Sequence, residues 1–153
     1  MASGDIYSAI QAHMLDSWTD TPILFENENT LTNGVSAPPT AGSVSCWVSV
    51  ELAGTQYSQQ SIGASSQADN RWDEEGFLIL TFFVPNGSGS IVGRNYAKQL
   101  ADIFRGIRLL NDQSLEFLDA SIGRGSVSEV QGNWFEIPIY IQWRRWESPL
   151  DNG

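Results

Sequence analysis

The sequence predicts an α+β domain, a mainly antiparallel β-sheet with two helices packed on it. Three observations carry this reading. Ile6, Ile10, Met14 and Trp18 recur every four residues, which places them on one face of a helix. Val44, Cys46, Val48, Val50 and Leu52 alternate with Ser45, Trp47, Ser49 and Glu51, the period of a half-buried strand. The run FLILTFFVP at 77–85 is apolar at nearly every position, as in a central strand covered on both faces.

Taken in order, the first helix spans 5–18, with Ala9 and His13 beside its apolar stripe, and ends at Thr21 and Pro22. PILFEN gives a short strand. The polar, Pro- and Gly-containing segment at about 27–42 has no periodicity and is expected to be a flexible arm. After the strand at 44–53, a weaker strand is expected over QYSQQSIG, followed by a second flexible loop at about 63–75. Beyond FLILTFFVP, the turn NGSGS leads to a helix from Ile91 to Gly106. Its inward face is expected to be Val92, Tyr96, Leu100 and Ile103, and its outward face Arg94, Lys98, Asp102 and Arg105. Ser90 is the expected N-cap and Gly106 the C′ residue. SLEFLDASIGRG and NWFEIPIYIQW are the last two strands, for an order of αβββ(β)αββ in a single domain, 1–153.

The final strand has two unlike faces. Phe135, Ile137, Ile139, Ile141 and Trp143 fall on one side, the core side. The other side carries Trp134, Glu136, Pro138, Tyr140, Gln142, Arg144 and Trp146. Proline within a strand is confined to edges, strand starts and bulges, so Pro138 predicts an edge or a bulge. Trp, Tyr and Arg are the types enriched in interface hot spots. Trp134, Pro138, Tyr140, Arg144, Arg145 and Trp146 are therefore candidate subunit-interface residues. The alternative is that Trp134 and Trp146 only cover the sheet. Asn27, Glu28, Asn29, Arg71 and Trp72, on the two expected loops, are candidate contacts to further partners.

At 153 residues, with 41% hydrophobic residues and six tryptophans, the chain has the size and composition of one globular domain. It holds no apolar run long enough to span a membrane. MASGDIYSAI shows no basic region followed by an apolar stretch, so no secretory leader is expected. Eight basic against eighteen acidic residues give a net charge of −10, which argues against binding a nucleic-acid backbone. Residues 1–70 hold seven acids and no base, a net of −7, and residues 71–153 hold eleven acids and eight bases, a net of −3. This asymmetry has two readings: solvated acidity for solubility, or a head-to-tail contact between unlike surfaces of identical subunits.

Catalytic signatures are sparse. NGSGSIVG lies where a phosphate loop would lie, but its spacing is G-x-G-x-x-x-G and no lysine follows, so a plain turn is the better reading. DNRWDEE places Arg71 where a calcium loop needs an oxygen ligand. With one histidine, His13, and one cysteine, Cys46, a zinc site is nearly excluded, and Cys46 reads as a small buried hydrophobe. A carboxylate pair for acid–base chemistry is not selected by any spacing. No catalytic residue, metal site or cofactor is expected.

The order of these parts, and SIGRG followed by QGNWFEIPIYIQW in particular, resembles the small bacteriophage family of tail terminator-like proteins, related to the tail terminators of long-tailed phages. The resemblance covers roughly residues 5–146. It implies a non-enzymatic virion protein assembled in the host cytoplasm. Its copies would form a hexameric ring that caps the tail tube and faces a head-tail connector or neck protein. It implies no cofactor and no membrane, and DNA would pass through the ring without specific binding. The alternatives are a head-tail adaptor or stopper ring, a small hydrolytic enzyme, and a nucleotide-binding module using the NGSGS turn.

Overall fold

The computed structural model describes residues 4–40, 42–59, 72–110, 113–127 and 133–147. Its helices are α1 (Gly4–Ser17) and α2 (Ile91–Phe104). Its strands are β1 (Ile23–Leu24), β2 (Trp47–Gln59), β3 (Trp72–Pro85), β4 (Arg108–Leu109), β5 (Leu115–Ile122), β6 (Ser126–Val127) and β7 (Trp134–Glu147). They form one sheet in the order β1-β2-β3-β7-β5-β4, with β6 also paired to β7. Every pairing is antiparallel except that of β1 with β2, so the architecture is α+β.

Both helices cover the same face. Cross-strand rungs such as Val50–Leu80–Ile139 and Leu52–Leu78–Ile141 point their side chains toward Ile6, Ile10 and Met14 of α1 and Ala97, Leu100 and Phe104 of α2. The α1 stripe at every fourth residue is buried as the spacing predicts, with Trp18 closing it and donating its indole N–H to Thr21 Oγ1 at 2.8 Å. His13 is a structural residue, its Nε2 bonded to the Ile103 carbonyl at 2.7 Å and its ring edge-on to Phe104.

The inward face of α2 differs from the expected one. Gly93, Ala97, Leu100 and Phe104 are buried, while Val92 is 59% exposed. The cause is Gly93: a Cβ there would lie 2.7 Å from Ile137 Cδ1 and 2.9 Å from Val84 Cγ1. Only glycine lets the first turn sit this close to the sheet, and that approach turns Val92 outward. Gly106 does occupy the C′ position, with φ +69°, but the Ser90 side chain makes no capping bond.

β7 is not an edge strand. It lies between β3 and β5, and Pro138 sits where β5 has ended and β6 has not begun. There the Pro138 carbonyl accepts the Gly123 N–H at 2.8 Å. The N–H and C=O of one strand residue point the same way, so the missing donor of Pro138 faces an interruption in the ladder and costs no bond to β3. The extent of the strands also departs from expectation. β2 runs on to Gln59 as one strand with a register shift between Gly54 and Gln56, and residues 72–75 of the expected loop belong to β3. Residues 60–71, the rest of that loop, lie outside the described residues.

Candidate assembly surface

The face of the sheet away from the helices has three zones. At one end Trp47, Phe83 and Trp134 form a second core with Leu31; Trp47 stacks on Phe83 at 3.9 Å between centroids and meets Trp134 edge-on at 6.1 Å. The segment between β1 and β2 closes over this cluster instead of extending as an arm. Leu31 is 2% exposed, the Thr32 hydroxyl accepts the Ile23 N–H, and Trp134 Nε1 donates to the Pro39 carbonyl at 3.0 Å. Trp134 is thus buried by its own chain and offers no surface to a neighbour.

The middle zone is open. Here Phe77 stands opposite Gln142, Ile79 opposite Tyr140, and Thr81 opposite Pro138. Phe77 is 41% and Tyr140 39% exposed, and Ile79 is half-buried, so apolar side chains line a sheet face that no helix or loop among the described residues covers. Such a surface marks an interaction site more often than an ordinary solvent face does.

The third zone is ionic. Glu75 of β3, Arg144 of β7 and Glu116 of β5 share one rung, and Arg144 pairs with Glu116. Arg108 of β4 reaches the same carboxylate at 3.3 Å and lies over the Trp146 ring at 5.5 Å. On the next rung Arg145 points to the helix side, opposite Glu74, and holds Asp5 of α1 at 3.0 Å. Glu74 is 4% exposed, and burial, the largest influence on it, pushes its carboxyl above the usual range, with Arg145 among the smaller influences that lower it. Arg145 therefore ties α1 to the sheet. Arg144, with its side chain 42% exposed, and Trp146 remain at the surface.

Of the loop candidates, Asn27, Glu28 and Asn29 are exposed at the turn after β1, with Asn27 at φ 55°. Trp72 opens β3, paired with Gln59 and Glu147, and Arg71 lies outside the described residues. Sequence reasoning passed over Phe77 and Ile79, because an unbroken apolar run does not show which alternate residues lack a cover. Cys46 is half-buried and burial raises its thiol pKa, so it is poorly suited to act as a nucleophile. Among the described residues no cluster of His, Cys, Asp and Glu is arranged to hold a metal, and no helix is long and apolar enough to cross a membrane.

The molecule is thus an α+β domain with a partly apolar sheet face that no helix or loop among the described residues covers. The chain belongs to the phage tail terminator protein family, whose model matches residues 5–143. It is accordingly a structural component of a bacteriophage tail, from a non-enzymatic class. No curated protein matches it. Solved structures do: one with 18% sequence identity covers 98% of this chain and 100% of its own at a TM-score of 0.56, which shows a shared fold.

Proposed function

We propose that this protein is the tail terminator itself, a subunit of a closed ring that caps the finished tail tube and joins it to the neck. The observation that carries the reading beyond the family is the open zone of Phe77, Ile79, Thr81, Pro138 and Tyr140, a largely apolar surface that no helix or loop among the described residues covers. Tyr140, Pro138, Arg144 and Trp146 face the neighbouring subunit, and the exposed Asn27–Glu28–Asn29 turn contacts the tube or the connector. Heterologous contacts between identical subunits generate rings when the rotation closes. An acidic ring gives DNA no counterion-release gain, so the genome passes without sticking. The ring assembles in the host cytoplasm and works without a cofactor or a catalytic step.

Adding the protein to polymerising tail tube subunits tests this, with tube length read by electron microscopy. Growth is expected to stop in the presence of the wild-type chain and to continue with Tyr140→Asp, a substitution on a partly exposed side chain whose folding is checked by circular dichroism. Unrestricted tube growth with the wild-type chain, together with binding to an isolated connector ring, would instead make it an adaptor or stopper.

A further inference from the structure

Among the described residues, both sides of the sheet end in edges that are only partly paired. β4 covers only Leu115 and Glu116 of β5, and beyond them no strand among the described residues pairs with the outer side of β5. Gly123 donates inward to Pro138, so by strand alternation the backbone groups of Ala120 and Ile122 point outward. Next to this edge Ala101, Leu118, Ala120 and Ile122 line a groove of about 480 Å3 beneath α2, whose charged lining is Lys98, Arg105, Asp102 and Asp119, with Asp102 paired to both bases. Ile122 is 37% exposed there. On the opposite side, β1 covers only Val48 and Ser49 of β2, and the Glu26 carboxylate takes the Leu52 N–H at 2.6 Å. From Gly54 to Gln59 the outer side of β2 has no strand partner among the described residues.

These edges differ in charge. Residues 20–59, which include β1 and β2, hold Asp20, Glu26, Glu28 and Glu51 and no base, a net of −4. Residues 91–125, which include α2, β4 and β5, hold five bases and four acids, a net of +1. The charge imbalance along the chain is therefore a charge difference across the sheet, because the strand order places early strands at one side and late ones at the other.

We infer that the edge of β5 pairs with the distal edge of β2 in a second copy of this chain, continuing the sheet from subunit to subunit. An unpaired edge is a ready template for strand addition, with backbone bonds supplying affinity and the adjacent groove supplying side-chain contacts. β2 and β5 run in opposite directions within one sheet, so copies related by a rotation about the strand direction meet antiparallel. Ala120 and Ile122 lie level with Leu52 and Val50 through the rungs, whereas the open part of β2 is centred about five residues further on. The copies are thus staggered by ~17 Å at about 3.3 Å per residue, the offset that tilted strands take up on closing. This inference rests on the ring reading above and adds a backbone contact between sheet edges to the side-chain contact of the Tyr140 face.

The test is disulfide trapping. In a Cys46→Ser background, chains carry Ile122→Cys together with a cysteine at Gln56, Tyr57, Ser58 or Gln59 in turn, which covers both faces of β2. After mild oxidation, at least one pair is expected to give a ladder of multimers on a non-reducing gel, while Ile122→Cys alone stops at a dimer. Absence of a ladder from all four, in protein that light scattering shows to be oligomeric, overturns the edge contact and leaves the ring. Absence of both ladder and oligomer, with tail tube ends present as well as absent, overturns both. A second variant, Ile122→Pro, removes an outward N–H and no hydrogen bond to β7, and is expected to abolish self-association with an unchanged circular-dichroism spectrum; retained association counts against the proposal.

Discussion

Arg145 shows how one residue divides a fold contact from an assembly contact. The sequence grouped it with Arg144 among the interface candidates, but in the structure it lies on the helix side, where it faces Glu74 and holds Asp5. Arg145→Ala is expected to lower unfolding free energy by about 2 kcal/mol, since it leaves a buried carboxylate without its cross-strand cation. Denaturant titration reads this, and a change below about 0.5 kcal/mol would reduce the pair to an ordinary surface bridge. Glu74 adds a pH signature. Its folded pKa is raised, chiefly by burial, so the fold favours its protonated form; that contribution is present below the unfolded pKa and is lost as pH rises through the folded value. Glu74→Gln is therefore expected to gain melting temperature relative to wild type at about pH 7 more than at about pH 4. An equal gain at both would contradict the assignment. Trp134 was legible as an aromatic but not as buried, because the loop that covers it, with Leu31 and the Pro39 carbonyl, has no periodicity to announce it.

Among the elements, α1 and β7 were the most legible, because each packs one regular face against the core, every fourth residue in one and every second in the other. The inward face of α2 was not, since a glycine rather than a large apolar residue sets its approach to Val84 and Ile137. Gly93→Ala tests that packing. Helix propensity alone would favour alanine by about 1 kcal/mol, whereas overpacking costs about 1–3 kcal/mol, so net destabilisation is expected. Ile137→Val removes the atom 2.7 Å from the added Cβ and should recover part of the loss in the double variant. Strict additivity of the two substitutions would contradict the close contact. The extensions of β2 and β3 through Gln59 and Trp72 were hidden because their residues are polar and their partners lie in register along the hairpin and β7. Pro138 was read correctly as an irregularity and wrongly as an edge; sequence reports the missing donor but not which side of the strand it faces.

At the scale of the whole molecule, charge separation is plain in the sequence, and the strand order converts it into two unlike sides. Contacts between such sides weaken with salt, because exposed charges are screened within about 8 Å at physiological ionic strength. The surfaces themselves were only half legible: Tyr140 and Pro138 stood out by residue type, while the edge at Ala120 and Ile122 exists only because β4 stops after two residues. The most direct test of the central claim, a self-assembling ring subunit, is the mass of the purified protein by light scattering across concentration and salt. A discrete closed oligomer that dissociates as salt rises is the expected result. A monomer at every concentration and salt level, with tail tube ends present as well as absent, would contradict it.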